Sequence, residues 1–190
     1  NYITHGNYHA LNTVLLAKRI LQHIGINPER LRIEFMSSGD GLLFARAVDE
    51  FVGRIEQLGP LGVGEGLTEE EMKRRLRRVM ELLPYLKVAT RKKLLEQRQD
   101  PATWEELFTA EEVADLLDRP VAYRIDEETC RGCGVCALRC PVGAIEGERK
   151  KPHRIDPNKC IRCGACFEAC RFDAVQKVKE ERPLASEAAP

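Results

Sequence analysis

The chain has no net charge, no long hydrophobic run and no cysteine outside two short segments, and each absence closes a class of function. Its 30 basic residues balance 30 acidic ones, so no global field points to nucleic acid or to a membrane surface. No apolar stretch approaches the roughly 18 residues needed to cross a bilayer. The glycine-rich Leu61-Gly62-Val63-Gly64-Glu65-Gly66 is followed by no Lys-Ser/Thr pair and opens no βαβ unit, so it reads as a linker and not a nucleotide loop. There is no nucleophile–histidine arrangement and no flavin or NAD fingerprint, which leaves an active site within the chain without support. His5 and His9 could share a helical face, but no Cys, Asp or Glu nearby completes a metal set. The first residue is Asn rather than Met, so a longer protein or a lost targeting segment stays open.

What is present is eight cysteines in two runs of one spacing, Cys130-x2-Cys133-x2-Cys136-x3-Cys140 and Cys160-x2-Cys163-x2-Cys166-x3-Cys170. This is the bacterial ferredoxin pattern, in which the fourth cysteine of each run serves the other run's cluster. The expected ligand sets are Cys130, Cys133, Cys136 and Cys170 for one [4Fe–4S] cluster, and Cys160, Cys163, Cys166 and Cys140 for a second. Two-residue spacers let consecutive thiolates reach adjacent corners of a cubane while the backbone wraps its sulfide face. Gly134 and Gly164, each after the second cysteine of its run, suit that wrap because they accept positive φ. Pro141 follows Cys140 as the pattern asks, whereas Arg171 stands at the matching place after Cys170.

Cysteine pairs two residues apart also build zinc sites, but tetrahedral zinc has no use for three evenly spaced cysteines twice over. A [3Fe–4S] centre usually lacks one ligand, and both Cys133 and Cys163 are present. Reduced, metal-bound cysteines suit a cytoplasmic, anaerobic setting. Arg131, Arg162 and Arg171, each beside a ligand, are candidates for tuning cluster charge, with plain solvation as the alternative.

The duplication extends past the cysteines. An offset of thirty residues aligns Arg124-Ile125-Asp126 with Arg154-Ile155-Asp156, and Ala144-Ile145 with Ala174-Val175. Each half reads as strand, cluster loop, short helix, strand, which together make a pseudo-twofold ferredoxin-like domain over 121–178. This region carries eleven Lys and Arg against eight Asp and Glu. With two oxidised clusters its charge falls to roughly −1, which suits a fixed module better than a strongly acidic free carrier, ordinary surface variation being the alternative.

Upstream, apolar residues Leu11, Val14, Leu15, Leu21 and Ile24 mark a helix ending at Gly25. Leu31-Arg32-Ile33-Glu34-Phe35 alternates like a half-buried strand, and Phe44, Val48, Phe51, Val52 and Ile55 line a second helix that stops at Gly59-Pro60. The fold class expected is α+β: a partial α/β layer over 1–60, a helical connector over 61–120, the ferredoxin-like domain, and a disordered tail over 179–190. One strand alone cannot satisfy its backbone, so its partners are expected upstream of Asn1 or in another subunit, and the chain reads as the C-terminal portion of a longer protein. In the connector, Thr68-x-x-Glu71 and Thr109-x-x-Glu112 open helices. Met72, Leu76, Val79, Met80 and Leu83 face inward on the first of these, and Pro84 interrupts it. Val113, Leu116 and Leu117 face inward on the second, Pro120 ends it, and another helical stretch covers about Arg91–Gln97. Trp104 and Phe108 are expected packing anchors. The basic run Lys73-Arg74-Arg75 with Arg77-Arg78 could meet an acidic partner or simply be a solvated face.

Gly6-Asn7-Tyr8 and its helix, Asn27-Pro28-Glu29-Arg30-Leu31-Arg32, Ser37-Ser38-Gly39-Asp40-Gly41 and Phe51-x7-Gly59-Pro60 resemble the delta-subunit family of methyl-viologen-reducing hydrogenase over residues 1–60. The resemblance implies an iron–sulfur subunit that wires a hydrogenase, or a formate dehydrogenase, to a heterodisulfide-reductase-type flavoprotein, in complexes that can carry out flavin-based electron bifurcation. That family's own [2Fe–2S] cysteines lie upstream of Tyr2, so no ligand is carried over from it. The ferredoxin-like segment, with Cys166-Phe167-Glu168-Ala169-Cys170-Arg171-Phe172-Asp173, is similar to those that end the flavin-bearing diaphorase subunits of NAD-linked hydrogenases. The function expected is electron relay through two [4Fe–4S] clusters within such a complex. A free ferredoxin-like carrier, or a protein whose clusters sense redox state or staple the fold, is the alternative.

Overall fold

The computed structural model describes residues 6–179. They form two compact units, each described by itself: residues up to Glu81 with Thr90–Ala114, and Leu82–Ala89 with the residues from Asp115 on. His5 and most of the C-terminal tail lie outside the described residues.

In the first unit, α1 (Gly6–His23) buries a stripe of Leu11, Leu15, Leu16 and Ile20, which Ile24 continues. Asn12 is buried in the same stripe, and its amide donates to the carbonyls of Lys93 (3.0 Å) and Glu96 (2.7 Å). Lys93 lies in α4 (Arg91–Leu94) and Glu96 just after it. Phe108 is buried, with the Lys93 ammonium 5.5 Å from its ring centre, and the half-buried Trp104 donates its indole N–H to Arg98 O at 2.9 Å.

The helix α2 (Gly41–Leu58) starts after Asp40, whose carboxylate accepts from the Ser37 N–H at 3.1 Å. None of its residues is buried: Phe44 is 60% exposed, Val48 42% and Val52 49%. The apolar face legible in the sequence is therefore open. The expected strand at Leu31–Phe35 is corrected here, for residues 31–37 carry no regular structure. Leu31 has extended dihedrals, φ −126° and ψ 124°, but among the described residues no neighbouring strand supplies a ladder, and without one an extended segment is not a strand.

What fixes the end of α2 is a buried ion pair. Arg30 donates to the carbonyls of Leu58 (3.0 Å) and Gly59 (2.8 Å), which the helix leaves without donors. Glu65 holds that guanidinium at 2.6 Å and also accepts the N–H groups of Asn27 (3.2 Å) and Gly62 (2.9 Å). The glycine-rich linker is thus a tight turn. A Cβ on Gly64 would collide with Leu58 O, so only glycine fits there.

Thr68 and Glu71 form the expected reciprocal cap, Glu71 N–H to Thr68 Oγ1 at 3.2 Å and Thr68 N–H to the Glu71 carboxylate at 3.2 Å. It opens α3 (Glu69–Ala89), which runs through Pro84 where an interruption was expected. Proline deletes one donor and crowds the preceding turn, and the helix continues on both sides at that cost. The buried positions of α3 include Val79, Leu82 and Leu86, whereas Met80 (67% exposed) and Leu83 (40%), expected inward, are open. The helix α5 (Ala110–Asp118) is capped by Thr109 Oγ1, which accepts from Glu112 N–H at 3.1 Å, and it buries Val113 and Leu117.

The second unit carries the repeat. Its first half is β1 (Val121–Ile125), α6 (Val135–Arg139) and β2 (Ile145–Glu146); its second is β3 (Arg154–Ile155), α7 (Ala165–Ala169) and β4 (Val175–Lys179). β1 pairs antiparallel with β4, and β2 with β3. The chain is thus mixed helix and small sheets. Among the described residues no helix is long and apolar enough to cross a membrane.

The Arg30–Glu65 pair yields a stability prediction. Three donors hold the Glu65 carboxyl below the usual carboxylate range, the Arg30 guanidinium contributing most. A lowered folded pKa means the stabilisation is complete above the ordinary glutamate pKa of about 4.3 and fades as pH falls through the folded value. Glu65→Ala leaves Arg30 buried without its partner and should cost the first unit about 3 kcal/mol. Amide exchange over 58–66 should accelerate accordingly at neutral pH, and the difference from the parent should shrink on acidification.

Candidate metal centres

The two halves share the backbone bonds that open each cysteine loop. Asp126 N–H donates to Ala174 O (2.7 Å) and Asp156 N–H to Ala144 O (2.8 Å). Cys130 N–H reaches Asp126 O and Cys160 N–H reaches Asp156 O, both at 3.0 Å. These bonds fix where each cysteine loop leaves its strand. Gly134 and Gly164 then turn the chain at φ 77° and 78° into helices of five residues, which carry the third cysteine inward and the fourth to the C-cap.

The loops surround two cavities. One is lined by Cys130, Cys133, Cys136 and Cys170, the other by Cys140, Cys160, Cys163 and Cys166. None of the eight forms a disulfide. Among the described residues no three His, Cys, Asp or Glu side chains converge as a single metal ion requires. The four thiols of each set line one cavity, an arrangement that can take the four corners of a cubane.

Shifting by thirty residues converts all twelve lining positions of one cavity into those of the other. The differences are few: Arg131 against Ile161, Val135 against Ala165, Phe172 against Val142, Val175 against Ile145, and His153 against Tyr123. Of the three arginines expected to tune charge, Arg131 lines a cysteine cavity. Arg162 instead lines an open groove of about 470 Å³ together with Cys160, Arg124 and Arg154, and Arg171 is exposed. The groove is larger than either cysteine cavity, yet it contains one cysteine and no convergent set. His153 and Tyr123 escaped the sequence reading, although their common place before Arg-Ile-Asp was a usable signal.

Backbone N–H groups also reach sulfur: Ala144 to Cys140 Sγ at 3.2 Å and Arg162 to Cys160 Sγ at 3.4 Å. In the metal-free chain, burial is the first cause that pushes the Cys136, Cys160 and Cys166 thiols up, and neighbouring sulfurs add to it. For Cys160 one of those sulfurs is Cys140, from the opposite run. Bound iron would remove that penalty, because it neutralises the charge that burial disfavours.

Two family models match the chain. The family described as methyl-viologen-reducing hydrogenase, delta subunit, matches residues 1–59, and a 4Fe-4S dicluster domain matches residues 122–171. The chain is 46% identical over 55 residues to an iron-sulfur subunit of the F420-non-reducing hydrogenase of Archaeoglobus profundus, covering 29% of this chain and 40% of that protein. It is 36% identical over 58 residues to one subunit of the ferredoxin/F(420)H(2)-dependent CoB-CoM heterodisulfide reductase of Methanosarcina acetivorans, covering 30% of this chain and 7% of the relative. A match of 49% over 33 residues reaches one subunit of an NADP-reducing hydrogenase of Solidesulfovibrio fructosivorans, covering 17% and 7%. The chain thus spans well under half the length of these relatives.

Thiol reactivity should report the arrangement. The Cys166 thiol is pushed up to about 11 from 9.0. At pH 8 it should hold about 100-fold less thiolate than an unperturbed cysteine, and alkylate correspondingly late. Mass spectrometry of iodoacetamide-treated, metal-free protein should find the exposed Cys133 modified before Cys166, with Cys166 labelling faster as pH rises toward 11.

Proposed function

We propose that this chain is an electron-transfer iron–sulfur subunit of a multi-subunit cytoplasmic redox complex. It relays electrons through two [4Fe–4S] clusters between a hydrogenase or formate dehydrogenase and a heterodisulfide-reductase-type flavoprotein. The observation that carries this reading is the pair of cysteine-lined cavities related by the thirty-residue repeat, in a chain whose other end matches a hydrogenase delta subunit. In the proposed assignment Cys130, Cys133, Cys136 and Cys170 hold the first cluster, and Cys160, Cys163, Cys166 and Cys140 the second. Each cluster, when bound, supplies a one-electron couple. The protein's part is to hold the thiolates, to direct the Ala144 and Arg162 N–H groups at sulfur, and to bury Cys136 and Cys166 away from water.

A partner is supported by the open apolar residues of the first unit. Phe44, Val48 and Val52 are 60%, 42% and 49% exposed and follow one another along one face of a helix that buries nothing. Contiguous exposed apolar surface of this kind marks interaction sites. We read residues 1–60 as the C-terminal portion of a delta-subunit-like domain, joined through 61–120 to the ferredoxin-like domain over 121–178.

Two measurements test the proposal. Anaerobic affinity purification from the native cell, with mass spectrometry of whatever binds, should recover a flavoprotein together with a hydrogenase or formate dehydrogenase. Recovery of the chain alone with its clusters intact would leave the free-carrier reading. Serine substitutions then test the crossed assignment. Cys170→Ser and Cys133→Ser should damage the same cluster by electron paramagnetic resonance, and Cys140→Ser and Cys163→Ser the other. A pairing of Cys170 with Cys163 instead would overturn the assignment.

A further inference from the structure

The repeat puts Arg124 and Arg154 at one position in the two halves, each opening an Arg-Ile-Asp triplet. Both line the open groove of about 470 Å³ in the second unit, Arg124 from β1 and Arg154 from β3. Four wall residues, Arg124, Ile125, Arg154 and Ile155, exchange with one another under the thirty-residue offset, so the groove straddles the boundary between the halves. Its other walls are not symmetric. Cys160 and Arg162 line it, whereas the matching residues of the first half, Cys130 and Gly132, do not. The groove therefore opens beside the second cysteine set.

Arg162 is held in a backbone conformation that a side chain disfavours. Its φ is 57°, in the left-handed region, where Gly132 stands at 62° in the other half. Gly132 has a local reason to be glycine, for a Cβ there would lie 2.5 Å from the Lys151 nitrogen. The second half accepts the strain and gains a third guanidinium in the groove. Strain kept in this way clusters at functional sites.

No Asp or Glu is among the described residues that line the groove. Glu127 meets Arg154 at 2.8 Å, but both side chains are more than half exposed, so that pair is weak and open to exchange. All three cations are arginines, whose planar forks grip carboxylates by two bonds at once. Ile125, Ile155 and Pro157 supply apolar surface between them. Arginine set among apolar side chains, with lysine absent, is the composition of protein contact surfaces.

We propose that this groove docks an acidic segment of the electron-transfer partner, and that the chain exchanges electrons with that partner there, through the second cluster. This rests on the cluster reading above.

The test uses the full chain with both clusters, reduced anaerobically and mixed by stopped flow with tris(oxalato)cobaltate(III), an acceptor coated in carboxylates. Each productive encounter passes one electron from a reduced cluster to cobalt, which goes from Co(III) to Co(II) as the cluster returns to its oxidised state. Oxidation of the parent should slow about tenfold between about 0.02 and 0.3 M salt, and a hexaglutamate peptide should slow it at low salt. Arg124→Gln with Arg162→Gln should lower the low-salt rate about tenfold and abolish the effect of the peptide. The cationic tris(ethylenediamine)cobalt(III) should show no such loss, so a changed cluster potential, which would slow both acceptors, is told apart from lost docking. Should that variant bind less iron than the parent, Arg124→Gln with Arg162→Gly takes its place, since glycine accepts this φ in the first half. Arg139→Gln with Arg149→Gln removes the same charge from exposed positions outside the groove and should leave the parent rate unchanged. An equal loss in that control, or no loss in the groove variants, would overturn the proposal. So would inorganic phosphate blocking as well as the peptide at equal ionic strength, which would make the groove a pocket for a free anion. Iron content and electron paramagnetic resonance of the parent, taken beforehand, test the cluster reading separately: fewer than two clusters would overturn that reading, and the proposal with it.

Discussion

Each cysteine-lined cavity of the second unit is closed by both halves of the repeat, and that shared closure is the constraint on which the rest of this unit depends. Three cysteines come from one loop, but the fourth comes from the helix end of the other half. The sheets are arranged to match: β1 pairs with β4 and β2 with β3, so each ladder runs between the halves and neither half owns a sheet. The equal lengths of the two loops follow from this. An insertion in either loop would move a cysteine away from a cavity whose remaining wall belongs to the opposite half. Little apolar core is needed under such a scheme. Two buried cysteines with Ile145 and Val175 form the centre, because metal-bound sulfur takes the place of side-chain packing.

The cysteine spacing, the strand–loop–helix–strand order of each half and the glycine turns were legible in sequence because they are local and repeated. Gly134 and Gly164 need positive φ wherever a loop must wrap this closely, and the structure has them there. Other features were hidden because they depend on distant partners. Nothing local joins Arg30 to Glu65, and only the folded turn brings the carboxylate onto the guanidinium. The strand at Leu31–Phe35 had the right alternation, but alternation describes a face and a strand also needs a neighbour. Pro84 carried a stop signal that the helix overrode, since one missing donor is a small loss beside the turns on either side. His153 and Tyr123 were obscured by their chemistry: the offset aligns them, but histidine and tyrosine do not look like equivalents.

The first unit has an unusual distribution of apolar surface. α1 buries its stripe as an amphipathic helix does, and Asn12 donates from within it to the carbonyls of Lys93 and Glu96. α2 has the same amphipathic pattern and buries nothing, while its C-terminal carbonyls are secured by a buried arginine. The helix is thus anchored at one end by polar bonds and displays its apolar side chains. Polar anchoring and open apolar surface together present a preformed shape, so ordering that helix need not be repeated each time the surface is covered.

The exchange between the halves has a consequence for how two sites can differ. Two separate copies of one half, related by a true twofold axis, would form both cavities with identical walls, because every substitution would appear twice. Joined in one chain through the turn between β2 and β3, the copies are free to drift apart. The drift is visible in five of the twelve wall positions, where one cavity has Arg131 and His153 against the other's Ile161 and Tyr123. Covalent linkage has thus turned a symmetric pair into an unequal one, so that each cavity can have walls of its own chemistry.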